Sequence, residues 1–260
     1  MTNRNSDNTG PDRTAPETAS FGFRDVPADE KAGMVRGVFD SVASKYDVMN
    51  DLMSMGVHRL WKAEFVAALR PRAGELIVDL AGGTGDIAER ILDKTDDRAR
   101  VMLTDINEAM VREGRDRFID GARIGQTEFI VGDAQNLPYP DKSADAVTIS
   151  FGIRNVTRID QALKDIHRIL KPGGRFYCLE FSHVHDSLNA AYDLYSFKYL
   201  PTVGKLIAGD AESYQYLAES IRKFPDQETF LAMIREAGFR NAGYRNLSAG
   251  IAAVHWGYRI

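Results

Sequence analysis

The sequence has one cysteine, no long uncharged apolar run and no excess of positive charge. A single cysteine, Cys178, excludes an intramolecular disulfide and favours a reducing compartment. The most apolar long window, residues 188–209, is interrupted by Asp193, Lys198 and Lys205, so no transmembrane helix is predicted. Since 33 Lys and Arg stand against 37 Asp and Glu, the net charge is −4, which argues against a nucleic-acid partner held by counterion release.

The length of 260 residues fits one globular domain behind a short polar tail. Residues 1–20 contain no aromatic or branched aliphatic side chain, so they are expected to be disordered. Residues 21–260 are expected to form a single domain, with a helical cap over 21–70, an α/β core over 71–260 and a lid insertion over about 183–225. Because no secretory signal pattern is recognised at the start, a cytoplasmic protein is expected.

The pattern from residue 71 onwards alternates short apolar runs with amphipathic helices, which predicts a doubly wound α/β sheet. Residues 159–170 show the clearest helical spacing, and helices are also predicted over 29–51 and 57–69. Two further strands around Ser248-Ala249-Gly250 are expected to form a closing hairpin. The buried parallel strands are predicted at residues 76–80, 101–104, 129–131, 146–150 and 176–181.

A glycine-rich loop, residues 81–85, follows the first of these strands and precedes a helix. Glycines there let a ligand approach the backbone, and the helix N-terminus offers free N–H groups. The spacing Gly83-x-Gly85-x-x-Ala88 also satisfies the dinucleotide fingerprint, so the loop alone does not choose between ligands. Asp79, inside the strand, favours a cationic ligand such as a sulfonium-bearing amino acid over a pyrophosphate.

Two further acids lie at the ends of the next two strands. Asp105 is placed to accept hydrogen bonds from ribose hydroxyls, and Asp133, followed by Ala134, is placed to accept the exocyclic amine of adenine. With Asp79, they describe a cradle for S-adenosyl-L-methionine. The alternative is that Asp105 or Asp133 serves only as a helix cap.

The sequence contains five long blocks: YDVMND at 46–51 followed by Ser54, Gly56, His58-Arg59 and Trp61-Lys62, then DLAGGTGDI at 79–87, SFGIRNVT at 150–157, LEFS at 179–182 and YLAESI at 216–221. With these blocks, the chain closely resembles the ubiquinone/menaquinone biosynthesis C-methyltransferase family over nearly everything from about residue 21 to residue 260. The resemblance implies a Rossmann-like class I methyltransferase sheet of seven strands, the last antiparallel, beneath an N-terminal helical lid. It also implies S-adenosylmethionine-dependent methylation of a ring carbon of a polyprenylated benzoquinol, demethylmenaquinol or both. Family cofactor positions carry over onto Thr84, Asp105, Asp133, Ala134 and Ser150.

Three residues are the candidates for the catalytic step. Arg154 is assigned to stabilising the quinolate or activating a water, because its pKa makes it a poor base. Asn155 lies beside it, and Tyr46 could hydrogen-bond a quinol oxygen. The alternatives are a surface Arg154, Asn155 as a helix N-cap, and Tyr46 as core packing. Glu180 could serve as an acid or base, or pair with a neighbouring arginine.

No metal site is expected, because His183, His185 and Glu180 share one short segment and lack a distant third ligand. A lipid substrate implies reversible contact with the inner face of the cytoplasmic membrane. Aromatic residues of 192–207 would contribute to that contact, or instead form an ordinary buried helix. Other quinone-biosynthesis enzymes are possible partners; a phenol or sterol methyltransferase and a cofactor-binding scaffold are the alternative functions. The cations expected to attract anionic lipid are Arg59, Lys62, Lys198 and Lys205.

Overall fold

The computed structural model describes residues 17–42, 50–51, 54–184 and 211–260. Two short strands, β1 (Thr18–Phe21) and β2 (Arg24–Pro27), form an antiparallel hairpin before helix α1 (Ala28–Val42). Helix α2 (His58–Leu69) then leads into the sheet. The remaining strands are β3 (Leu76–Leu80), β4 (Arg100–Asp105), β5 (Thr127–Val131), β6 (Ala144–Ser150), β7 (Leu170–Phe181), β8 (Arg240–Leu247) and β9 (Ala252–Tyr258).

These seven strands form one mixed sheet in the order β5-β4-β3-β6-β7-β9-β8. The first five are parallel, and β9 runs antiparallel to both β7 and β8. This is the predicted class I methyltransferase sheet, with the predicted closing hairpin at β8 and β9. The helices that flank the sheet are α3 (Asp86–Lys94), α4 (Glu108–Asp120), α5 (Ile159–Ile169), α6 (Ala211–Lys223) and α7 (Gln227–Glu236).

Each face of the sheet carries its own hydrophobic core, as the alternation of side chains along a strand requires. In β3, Ile77 belongs to the core shared with α2, α3 and part of α4. Its neighbours Val78 and Leu80 belong to the core shared with α5 and α7. Helix α5 buries Leu163 and Ile166 on the stripe that the sequence predicts. The strands are therefore covered on both faces, which explains their continuous apolar runs.

The prediction of disorder through residue 20 is wrong for its last residues, since strand β1 begins at Thr18. Phe21 is buried and stacks on Tyr216 of α6, with 4.3 Å between the ring centroids. Phe21 thus anchors the hairpin, Val26 packs against the same hydrophobic core, and Arg158 pairs with Glu17 just before the first strand. Residues 1–16 lie outside the described part of the chain.

The structure also differs from, or describes only part of, the expected helical cap and lid insertion. The helical cap expected over 21–70 includes strand β2, and helix α1 ends at Val42. Of the lid insertion expected over about 183–225, helix α6 is described, whereas residues 185–210 lie outside the described residues. None of the described helices is long and apolar enough to cross a membrane.

Candidate cofactor and active site

The site lies at the carboxyl edge of the sheet, where β3 has β4 on one side and β6 on the other. The order of the strands reverses at this point, because the strands that follow β3 lie first on one side of it and then on the other. Doubly wound sheets bind their ligands at such a switch point. A cavity of about 810 Å³, including open solvent at its mouth, lies at this edge. Its lining includes the predicted residues Gly83, Asp105, Asp133, Ala134 and Asn155.

Asp105 joins the glycine loop to the end of β4. Its Oδ2 accepts a hydrogen bond from the Gly83 N–H at 3.0 Å, and its Oδ1 accepts one from the Asn107 N–H at 2.9 Å. Burial raises the pKa of this carboxyl group, and the backbone donors oppose that rise. The capping alternative is wrong for Asp105, because the N-cap of α4 is Asn107, whose side chain accepts from the Met110 N–H.

Asp133 lies after β5 in the lining of the same cavity. Its Oδ1 accepts from the Gln135 N–H at 2.9 Å, and both of its carboxylate oxygens accept from the Gln135 side chain. These bonds fix the carboxylate in a tight turn rather than at a helix start. Ala134 lies beside it on the cavity wall, so the predicted Asp133-Ala134 pair is brought to the nucleoside side of the site.

The two predicted glycines have different roles. Gly83, with φ +53°, lines the cavity and gives its N–H to Asp105. Gly85, with φ +88°, is the N-cap residue of α3 and lines neither cavity at this edge. A Cβ on Gly85 would lie 2.6 Å from the Phe118 ring, so this glycine is needed for helix packing and backbone conformation.

A second, smaller cavity of about 340 Å³ adjoins the glycine loop and contains the other predicted cofactor residues, Asp79, Thr84 and Ser150. Oδ1 of Asp79 accepts from the Thr148 hydroxyl at 2.7 Å, while Oδ2 is buried without a partner in the described structure. The Ser150 hydroxyl is likewise buried and unpartnered there. Such orphaned groups are costly unless a ligand satisfies them.

The Asp79 carboxyl group has a pKa raised to about 7, chiefly by burial. The nearby carboxylates of Asp86 and Asp105 raise it further, whereas the Thr148 hydrogen bond and the charge of Lys62 lower it. A cation placed at Oδ2 would favour the ionised form. The unpartnered Oδ2 of Asp79 therefore suits a positively charged group.

Lys62 of α2 lines the small cavity, although the sequence analysis expected it among the cations that attract anionic lipid. Its Nζ lies 2.7 Å from Oδ2 of Asp86, and the residue is only 4% exposed. It cannot attract lipid from this position, so that expectation is wrong. Its place on the buried stripe of α2, between Trp61 and Phe65, was the signal in the sequence that marked it as an inward-facing cation.

Arg154 is buried rather than on the surface, and it pairs with Glu180 of β7. Its Nη1 lies 2.7 Å from Glu180 Oε1 and donates to the Phe151 carbonyl at 2.5 Å. Burial raises the pKa of Glu180, and the charge of Arg154 opposes that rise. Arg154 is not among the described residues that line either cavity.

Asn155 lines the large cavity, and its Oδ1 accepts from the Tyr216 hydroxyl at 2.9 Å. The N-cap alternative is wrong, since Arg158 precedes α5. Tyr46 and His185 lie outside the described residues. His183 hydrogen-bonds the Phe224 carbonyl, and no group of three or more possible metal ligands occurs among the residues that the structure describes.

Ala81 and Phe151 line both cavities, so the two spaces are neighbours across the glycine loop. Both residues have left-handed backbone, with φ of 49° and 56°, a conformation that non-glycine residues adopt at a cost and that clusters at functional sites. The large cavity presents acids suited to ribose and adenine, and the small one presents the unpartnered Asp79 oxygen. The residues present fit S-adenosylmethionine.

The chain is similar to several proteins of known name or structure. A chain from Roseobacter denitrificans named "Ubiquinone/menaquinone biosynthesis C-methyltransferase UbiE" is 54% identical over 245 residues, 94% of this chain and 98% of that one. A protein of the same name from Methylococcus capsulatus is 56% identical over 244 residues, again 94% and 98%. The crystal structure of a SAM-dependent methyltransferase from Aquifex aeolicus matches with a TM-score of 0.56 at 13% identity, covering 76% of this chain and 89% of that one, which shows the shared fold.

The model of the ubiE/COQ5 methyltransferase family matches residues 18–259, which include both cavities and every described site residue. The chain therefore belongs to the ubiE/COQ5 methyltransferase family.

Proposed function

We propose that this methyltransferase transfers a methyl group from S-adenosylmethionine to a ring carbon of a polyprenylated quinol, a benzoquinol, a demethylmenaquinol or both, in quinone biosynthesis. The observation that carries the proposal is the buried Asp79 oxygen without a partner, beside an acid-lined nucleoside cavity, in a chain whose relatives bear that activity in their names. When bound, the cofactor would supply an electrophilic methyl group: its S–CH3 bond would break as the bond to the ring carbon forms, which leaves the neutral thioether S-adenosylhomocysteine, and the proton on that carbon would pass to water.

The cofactor is divided between the two cavities. Asp105 accepts hydrogen bonds from the ribose hydroxyls, and Asp133 with Ala134 contacts the adenine edge. Asp79, Thr84 and Ser150 hold the amino-acid end. This assignment follows from which residues line each cavity and from the partners that the described structure leaves open.

Much of the rate is proposed to come from alignment, since holding reactants in line can supply roughly 7–11 kcal/mol of the barrier. Asn155, on the loop after β6, lines the cavity and is proposed to orient the quinol. Arg154, expected to stabilise the quinolate, is proposed instead as a positioning residue. Its guanidinium is held by Glu180 and by the Phe151 carbonyl, and it fixes the loop that carries Asn155.

The test is to incubate purified protein with labelled S-adenosylmethionine and short-chain demethylated benzoquinol or demethylmenaquinol. Ring-methylated product identified by mass spectrometry is expected with one quinol or with both. Simple phenols and sterols, offered under the same conditions, should be poor acceptors. Transfer to those acceptors alone would establish the alternative methyltransferase function, and bound cofactor without transfer to any acceptor would favour the scaffold.

A lipid substrate also leads us to propose reversible contact with the inner face of the cytoplasmic membrane. Other quinone-biosynthesis enzymes are further proposed partners there. Lys62 cannot contribute, and Arg59 pairs with Asp51, so attraction must come from other groups. Lys198, Lys205 and the aromatic segment 192–207 lie outside the described residues. Co-sedimentation with anionic vesicles at low salt is the expected result, and its absence would contradict the contact.

A further inference from the structure

The small cavity adjoins an ion cluster of Lys62, Asp86 and Arg90, none of which is among the residues proposed to hold the cofactor. Lys62 reaches it from α2, and Asp86 reaches it from the first turn of α3. Oδ2 of Asp86 contacts Lys62 Nζ at 2.7 Å, and Oδ1 contacts Arg90 Nε at 2.6 Å. Burial acts to raise the pKa of Asp86, yet the two cations together hold it below its ordinary value. Two cations therefore share one carboxylate, which leaves one positive charge in excess.

Lys62 is the cation of this cluster that faces the ligand space. Its side chain is 6% exposed against 30% for Arg90, and only Lys62 is in the cavity lining. An ammonium group has three N–H donors, and Asp86 is its hydrogen-bond partner among the described residues. The N-terminus of α3, whose N-cap Gly85 gives no side-chain bond, adds further positive potential at the same place.

The same cavity therefore carries charges of both signs. Asp79 presents a buried carboxylate oxygen without a partner, and Lys62 presents a buried ammonium group. The amino-acid end of S-adenosylmethionine carries an ammonium and a carboxylate on one carbon, so it complements both groups at once. A buried charge is tolerated when it is paired and hydrogen-bonded, and this ligand would pair each of them.

We propose that Lys62 binds the α-carboxylate of S-adenosylmethionine, while Asp79 binds its α-ammonium group and Asp86 holds Lys62 in position. The inference rests on the proposed cofactor and adds a residue that recognises one end of it. If Lys62 only joined α2 to α3, its removal would weaken binding equally for ligands with and without the α-carboxylate. The proposal predicts instead that Lys62 strengthens the binding only of ligands that carry this carboxylate.

The experiment measures the affinities of S-adenosylmethionine and of its decarboxylated analogue, which retains the ammonium, by isothermal titration calorimetry. The wild-type protein should bind the analogue about 10–100-fold more weakly, the range expected for one charge-assisted contact. Lys62→Met should bind S-adenosylmethionine about as weakly as the wild type binds the analogue, and should discriminate between the two ligands less than about threefold. Lys164→Met, which removes an exposed lysine paired with Asp160, is the matched control and should behave as wild type.

Lys62→Met leaves Asp86 with one fewer partner, so the double variant Lys62→Met/Asp86→Asn is measured beside it, with circular dichroism to verify folding. If either folded variant retains the wild-type ratio between the two ligands, the role of Lys62 is overturned. If the wild type itself does not distinguish the ligands, the proposal also fails. If the wild type binds neither ligand, the proposed cofactor is wrong, a result distinct from loss of this contact.

Discussion

Asp79 is the residue whose charge state should govern cofactor binding. Burial raises the pKa of its carboxyl group to about 7, and only the ionised form attracts an ammonium group. Because the bound cation lowers this pKa, binding releases a proton below pH 7. We expect the affinity for S-adenosylmethionine to weaken as pH falls from 7 towards 5.5, by up to about tenfold per pH unit. Calorimetric titrations over this range measure the slope.

Asp79→Asn removes the titrating group and should bind the cofactor weakly at every pH, with a flat profile over the same interval. Asp116→Asn, at an exposed carboxylate of α4, is the control and should keep the wild-type slope. A steep profile that survives in Asp79→Asn would assign the pH dependence to another group.

Asp105 supports a separate prediction, because it holds Gly83 and faces the nucleoside cavity. Asp105→Asn replaces a charged acceptor by a neutral amide, so we expect about 10–100-fold weaker binding of both S-adenosylmethionine and adenosine. Equilibrium dialysis with each ligand is the measurement. Unchanged adenosine binding would contradict the assignment of Asp105 to the ribose.

The acids at the strand ends were predictable from the sequence, because a carboxylate in the last two residues of a buried parallel strand, or just after it, lies near the carboxyl edge of the sheet. Asp79, Asp105 and Asp133 are all found there. The pairing of Glu180 with an arginine was one of the two alternatives for that residue, and the stripe of α2 indicated that Lys62 faces inward, but neither pattern identified the partner. Lys62 and Arg154 each depend on a partner, Asp86 or Glu180, whose distance is set by packing between separate elements rather than by spacing in the chain.

At the scale of elements, the ion pair between Arg154 and Glu180 ties the loop after β6 to β7. Its side chains are 4% and 1% exposed, so removal of one partner leaves an uncompensated buried charge. Glu180→Gln should lower the free energy of unfolding by about 3–5 kcal/mol. Urea denaturation followed by circular dichroism measures this change.

The double variant Arg154→Met/Glu180→Leu removes both charges and should regain most of the lost stability. Glu64→Gln breaks the exposed pair with Arg245 and should cost less than about 1 kcal/mol, which makes it the control. If the double variant is as unstable as Glu180→Gln, the loss of stability does not come from an unpaired buried charge, and the hydrogen bonds of Arg154 and Glu180 must themselves stabilise the loop.

Among the elements, the parallel strands were predictable, because their apolar runs reflect burial on both faces. The hairpin of β1 and β2 was not. Its strands are only four residues long, and its docking depends on the contact between Phe21 and Tyr216, which are nearly 200 residues apart in the chain. A pattern within a short window contains no information about such a pair.

For the whole molecule, His255 should make stability depend on pH. Its Nε2–H donates to the Gln227 carbonyl, its Nδ1 has no partner among the described residues, and burial lowers its pKa to about 4. The unfolded chain takes up this proton near pH 6.5 and the folded one only near 4. Protonation of His255 in the unfolded chain should therefore lower the free energy of unfolding by about 3 kcal/mol as pH falls from 6.5 to 4.

His255→Gln has no proton to take up, so the difference in unfolding free energy between wild type and variant should shift by that amount across the interval. Comparing the two proteins cancels the contributions of the carboxyl groups, which also titrate there. Guanidinium unfolding at pH 7, 5.5 and 4 gives the three points. A constant difference would show that the imidazole titrates alike in both states.

The order of the strands also has a consequence for synthesis of the chain. Strand β9 is translated after every other strand, yet it lies between β7 and β8 and forms hydrogen bonds with both. During translation, β8 has no neighbour in the sheet, and β7 presents an open edge. Residues 252–258 must be synthesised before this half of the sheet can close. A nascent chain that already contains the whole glycine loop therefore still exposes unpaired strand edges and is prone to aggregation.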